Sequence, residues 1–233
     1  KQEFPAYADR ITHLRDLDPA HLGVSYPDFV AMLARLPEQM DRDQLIARLD
    51  EAFCRRVFAT HDASMRRYQV RPVVLYGLAE IARGKAAPEV LAHGHAAEFG
   101  QWMNRSHDGD RVVQWAGKEP RPFLAACDDA ALAALAARAR AGDPEAALVR
   151  QTGAYACSVP EIDQMVDIAL SVNGVAGAQI AGAGLGGCIM VLVKQEAADY
   201  LATVLTARYY APRNLDADMY PCCPTAGSGI FAV

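Results

Sequence analysis

Four glycines within six positions, Gly182-Ala183-Gly184-Leu185-Gly186-Gly187, followed by Cys188, constrain this chain more than any other stretch. Glycine reaches positive φ without strain and leaves the main chain bare, at a cost of roughly 0.5–1 kcal/mol against alanine inside an element. The letters also spell G-x-G-x-x-G, which in a dinucleotide fold must follow a strand and open a helix. Upstream, Val175-Ala176-Gly177-Ala178-Gln179-Ile180-Ala181 is small and apolar, as in a strand that another backbone approaches closely. Downstream, Cys188-Ile189-Met190-Val191-Leu192-Val193 is a β-prone run with no N-cap and no acidic first turn, which predicts a second strand. The loop is therefore expected to close a hairpin; the dinucleotide reading needs a helix directly after Gly187.

Of the 233 residues, 52% are hydrophobic, enough to bury a substantial core in one large or two small domains. The net charge is −5, with arginines scattered among acids, so no basic stripe marks a nucleic-acid surface. No apolar run approaches the ~20 residues that a membrane span needs. A cytoplasmic protein is expected, with no nucleic-acid or membrane partner. Cysteines 54, 127, 157, 188, 222 and 223 show no C-x-x-C spacing, so free thiols are expected, with neither a zinc site nor a redox pair.

Residues 4–22 read as an irregular lead-in. Ser25-Tyr26-Pro27-Asp28 has the form of a capping box, and Phe29, Val30, Leu33 and Leu36 follow at helical spacing until Pro37. A second helix is expected from Asp41 to about Ala59. A third is expected from Arg71-Pro72 through Ile81 to Gly84, and a fourth from Pro88 to about Asn104. His93 and His95 stand i,i+2; on a helix they point about 200° apart and cannot share an ion. Ser106-His107-Asp108 spells a triad in sequence only, because triads are defined by converging geometry. Residues 128–141 and 143–145 predict two modest helices, each with an Asp cap. The alanine density there predicts an outer position and a contact between copies. Ser158-Val159-Pro160-Glu161 reads as a full capping box for a helix burying Ile162, Met165, Val166 and Ala169. Residues 196–208 predict a last helix, and the tail from Asp218 predicts two short strands. The sum is α+β: an antiparallel sheet with helices packed on one face.

Several of these segments, in order, resemble the galactokinases of the GHMP kinase family. Phe99-Gly100, Met103 and Ser106-His107 match one pattern of that family. Ser158 to Asp163, Gly174 to Ala178 and Gly182 to Cys188 resemble its C-terminal part, and Tyr209-Tyr210 and Pro224 to Gly229 resemble its end. The resemblance covers residues 70–110 and 155–233. It implies a GHMP kinase C-terminal domain, ferredoxin-like, with a helical lead-in at 1–69, a helical insertion at 112–156 and the glycine-hairpin sheet at 157–233. The chain opens at Lys1 and carries neither the serine-rich phosphate loop nor the catalytic Asp of the family's N-terminal domain, so a C-terminal fragment is expected.

The implied reaction is transfer of the ATP γ-phosphate, with Mg²⁺, to a sugar hydroxyl, the anomeric one by analogy. Gly182, Gly184, Leu185, Gly186 and Gly187 would support the nucleotide phosphates, and Ser106 and His107 would stand at the active-site wall. No catalytic residue is assigned in this chain, which would be inactive without the N-terminal half that binds most of the ATP and Mg²⁺. The insertion departs from galactokinases and leaves the sugar open. A noncatalytic sugar or nucleotide sensor derived from such a kinase is the alternative.

Overall fold

A computed structural model describes residues 3–62, 64–117, 119–182 and 187–223. In chain order the helical lead-in contains α1 (Pro19–Leu22) and α2 (Tyr26–Leu33). Then come β1 (Gln39–Asp41), α3 (Arg42–Arg48), α4 (Glu51–Phe58) and β2 (Arg67–Gln69), followed by the long helices α5 (Arg71–Ala92) and α6 (Ala96–Asp110). An excursion carries β3 (Val113–Ala116), β4 (Glu119–Pro122) and α7 (Asp129–Arg140). The chain then runs through α8 (Pro160–Leu170), β5 (Val175–Ala181), β6 (Cys188–Val193) and α9 (Ala198–Leu205). The architecture is α+β, and among the described residues the strands form three antiparallel pairs, β1–β2, β3–β4 and β5–β6.

Local chemistry explains where elements begin and where the simplest periodicity fails. Ser25 accepts from the Asp28 N–H and starts α2. The helix expected across 41–59 is split, because the Asp50 carboxylate accepts from the Phe53 N–H and caps a new start while Leu49 is extended. Conversely, α5 does not stop at Gly84 or restart at Pro88. Pro88 removes the donor for the Gly84 carbonyl, but Gly84 is exposed and water can replace that bond, so the helix runs on to Ala92. Ser158 does not cap α8: Val159 occupies the N-cap, and Pro160 begins the helix.

Among the described residues two apolar cores result. The first joins Phe29, Val30 and Leu33 of α2, Leu75 and Leu78 of α5, and Leu132, Leu135 and Ala136 of α7. The alanine-rich helix is thus internal on one face, contrary to its expected outer position. Small side chains let it lie close to α2, while its leucines supply the burial. The second core gathers Val166, Ala169 and Val172 around Ala178 of β5 and Leu201, Leu205 and Tyr209.

The helix α6 is bound to β5 by backbone approach. A Cβ on Gly177 would lie 2.6 Å from Gly100 Cα, and one on Gly100 would lie 2.8 Å from Ala176 Cβ, so both positions require the missing side chain. Beside that contact the Ala178 N–H donates to Asn104 Oδ1 at 2.9 Å. The expected tail strands are not seen in residues 218–223, where Pro221 offers no N–H to a ladder. Pro224 and the rest of that expected pair of strands lie outside the described residues.

Candidate functional site

The glycine segment joins strand to strand. Ala181 of β5 pairs with Cys188 of β6 in antiparallel register, and Ile180 with Ile189, so residues 182–187 close a hairpin and no helix follows. That removes the dinucleotide alternative. Gly182 takes φ +80°, where L side chains are strained, and open space surrounds the position of its absent Cβ. Gly187 is likewise exposed. Gly184, Leu185 and Gly186, with Ala183, lie outside the described residues.

Ser106 and His107 lie near the C-terminal end of α6, His107 in its last turn. The helix α6 continues to Asp110, so Ser106 is internal and cannot cap; both side chains are buried. His107 is fully buried, with Nε2 3.3 Å from Asp163 Oδ1 of α8, near enough for charge attraction but not aligned as a hydrogen bond. The other oxygen of Asp163 accepts from the N–H groups of Val112 and Val113. Burial pushes the Asp163 carboxyl up, but His107, the Ser158 hydroxyl and these two N–H groups together hold it below the usual carboxylate range. One turn further along α8, Asp167 pairs with Arg111 at 2.8 Å and accepts from the Trp115 N–H. Two acids on one helix therefore grip the first strand of the excursion.

The same junction holds a second buried carboxylate. Asp110 accepts from the Tyr76 hydroxyl at 2.9 Å and the Cys157 thiol at 3.2 Å. Burial raises its pKa despite both donors, and burial likewise pushes the Cys157 thiol up to about 12 and the Tyr76 hydroxyl upward. The excursion returns where it left: Tyr155 and Ala156 donate to the Gly109 carbonyl, and Ser158 N–H to that of Asp110. Sequence reasoning missed this junction. The available signal was Asp163 itself, an acid beside Ile162 and Val166 on the inward face of α8.

His93 and His95 are not on a common helix, as the argument from side-chain direction assumed. They flank the break between α5 and α6, with ring centroids 5.9 Å apart. Among the described residues no group of three His, Cys, Asp or Glu side chains could hold a metal ion. All six cysteines are free, with 188, 222 and 223 exposed.

Comparison with known proteins matches residues 123–211 to the family model described as GHMP kinases C terminal. The chain is also 26% identical over 165 residues to the galactokinase of Chloroflexus aggregans (strain MD-66 / DSM 9485), an alignment that takes in 71% of this chain and 31% of that protein. The chain thus spans about a third of the length of that relative. The match starts at residue 123, inside the segment where the galactokinase pattern was expected to lapse, and so includes α7. The hairpin register and both similarities agree in supporting a GHMP kinase C-terminal domain at residues 123–211 and a galactokinase-like chain.

Proposed function

We propose that this chain is the C-terminal part of an ATP-dependent sugar kinase that transfers the γ-phosphate to a sugar hydroxyl, the anomeric one by analogy with galactokinase, in the cytoplasm. The observation that carries the reading is the Ala181–Cys188 register, which joins β5 to β6 across the glycine segment, inside the stretch matching the kinase family. Among the described residues no helix is long and apolar enough to cross a membrane.

Phosphoryl transfer asks a protein chiefly for positioning and charge stabilisation. ATP supplies the transferred group. The open space about Gly182 and the exposure of Gly187 fit a turn that polyanionic oxygens can approach, and the main chain there would border the phosphates. No set of described side chains fits Mg²⁺, so this chain's residues are given no step through the metal. The reactive carboxylate is assigned to the N-terminal half. The buried acids Asp110 and Asp163 hold the α6–α8 junction that orients β5 and its turn. Residues 111–157, whose ends meet at Gly109 and Asp110, form an excursion of which residues 123 onward fall within the family match.

The test is sugar-dependent ADP release, assayed over a sugar panel with this chain alone and with the parent protein containing the preceding half. Activity is expected only in the latter, lowered in kcat/KM by Gly182→Val. Turnover by this chain alone would refute the division of labour, and a silent parent would leave the sensor reading.

A further inference from the structure

A second cavity lies along α6, beside the edge where Asn104 meets β5. Gln101, Asn104, Arg105 and Asp108 stand at i, i+3, i+4 and i+7, which places them on one face. Glu145 and Arg150 of the excursion close the opposite wall, leaving a cavity of about 210 Å³. That is below the roughly 300–1,000 Å³ of sites for drug-sized ligands, so the occupant is small.

The hydrogen bonds fix what the lining offers. Arg150 Nη1 donates to Gln101 Oε1 at 2.9 Å, and Ala178 N–H donates to Asn104 Oδ1 at 2.9 Å. Since both partners are donors, each amide must present its oxygen to them and keep its NH₂ for something else. Among the described residues neither NH₂ has a partner, and the Arg105 guanidinium has none either. Arg150 is already committed, to Glu98 at 3.2 Å and to Glu145 at 3.6 Å, which makes that wall preorganised and cancels its charge. Asp108 shares one oxygen with Arg111 Nε at 3.3 Å and has a second. The lining therefore sets three donors beside carboxylate acceptors. A hydroxyl group both donates and accepts, and so satisfies both kinds of neighbour. A phosphate would gain Arg105 but meet Asp108 and Glu145.

We propose that this cavity is a binding site for a small neutral polyhydroxylated ligand of monosaccharide size, built jointly by α6 and the excursion. It goes beyond the kinase reading and does not require turnover. The excursion, by this argument, adds a place where sugar is sensed.

The experiment is an NMR titration of the ¹⁵N-labelled chain, following the side-chain NH₂ signals of Gln101 and Asn104. D-galactose, D-glucose, myo-inositol and inorganic phosphate are added separately to about 50 mM, well beyond a millimolar Kd. Saturable shifts at both amides are expected with at least one polyol. Arg105→Ala, at an exposed position without a partner, should weaken that binding about tenfold, the loss of one charge-assisted bond, while other signals stay in place. The proposal fails if no polyol saturates these signals, if only phosphate does, or if Arg105→Ala and Gln101→Ala both leave the affinity unchanged. Because binding is read at named atoms, its failure is distinct from a failure of the kinase assay.

Discussion

Adding one methyl group at Gly177 tests whether α6 and β5 meet backbone to backbone. In Gly177→Ala the new Cβ would stand 2.2 Å from the Gly100 carbonyl oxygen and 2.6 Å from its Cα, and ordinary contact begins at 3.4 Å, so helix and strand must part by about 1.2 Å. No flexible side chain can absorb that shift, since the obstacle is main chain. Overpacking of this kind costs about 1–3 kcal/mol. Parting the elements also strains the bond from the Ala178 N–H to Asn104 Oδ1, and orphaning that buried N–H adds about 1–3 kcal/mol. A loss near 3 kcal/mol is expected, a large share of the roughly 5–15 kcal/mol that holds a domain folded. At this chain length it lowers Tm by about 6–12 °C. The matched control is Gly84→Ala on the exposed face of α5, where an added Cβ meets nothing within 4 Å; it should stabilise by roughly 0.5–1 kcal/mol. Urea denaturation and thermal melts of both variants measure the pair, and hydrogen exchange at Ala178 reports the local bond. A Gly177→Ala protein with unchanged midpoints and a protected Ala178 amide would refute the contact.

Four further outcomes are expected. Asp163→Ala should cost about 2–5 kcal/mol in urea denaturation, because it orphans the Val112 and Val113 N–H groups, each worth about 1–3 kcal/mol when left unpaired in the interior. The folded pKa of Asp163 is depressed, so its contribution is present above the ordinary carboxylate pKa of 3.8 and is lost as pH falls through the folded value; melts of Asp163→Asn should lack that acid-side loss. Asp110 carries the opposite sign: its raised pKa makes stability fall as pH rises from 3.8 through the folded value, and Asp110→Asn should flatten that slope. Finally, alkylation of the native chain at neutral pH should label Cys188, Cys222 and Cys223 first. Cys54 and Cys127 are buried, and burial pushes the Cys127 thiol up to about 11, so both should react only after unfolding, as read by peptide mass mapping.

The β5–β6 hairpin could be foreseen because a β-prone run directly after Gly187 left no room for a helix. The capping of α2 and α7 was legible for a similar reason: Ser25 and Asp128 stand where orphan N–H groups need acceptors. Pro88 misled because a proline is an unambiguous signal only when water cannot reach the carbonyl it deprives. The pairs β1–β2 and β3–β4 escaped notice since they are three or four residues long, and β4 alternates exposed Pro and charged residues instead of apolar ones. The α6–α8 junction was hidden for a different reason. Its partners lie far apart in the chain, and nothing local says that Asp163 will accept from residues 112 and 113.

The first core draws on α2, near the start of the chain, and α7, within the excursion, with α5 as the platform between them. Neither could be deleted alone, since losing α7 would bare Phe29, Val30 and Leu33 to water. The two segments share one core and stand or fall together, so an engineer who splices residue 110 to residue 157 should also trim the leading helices.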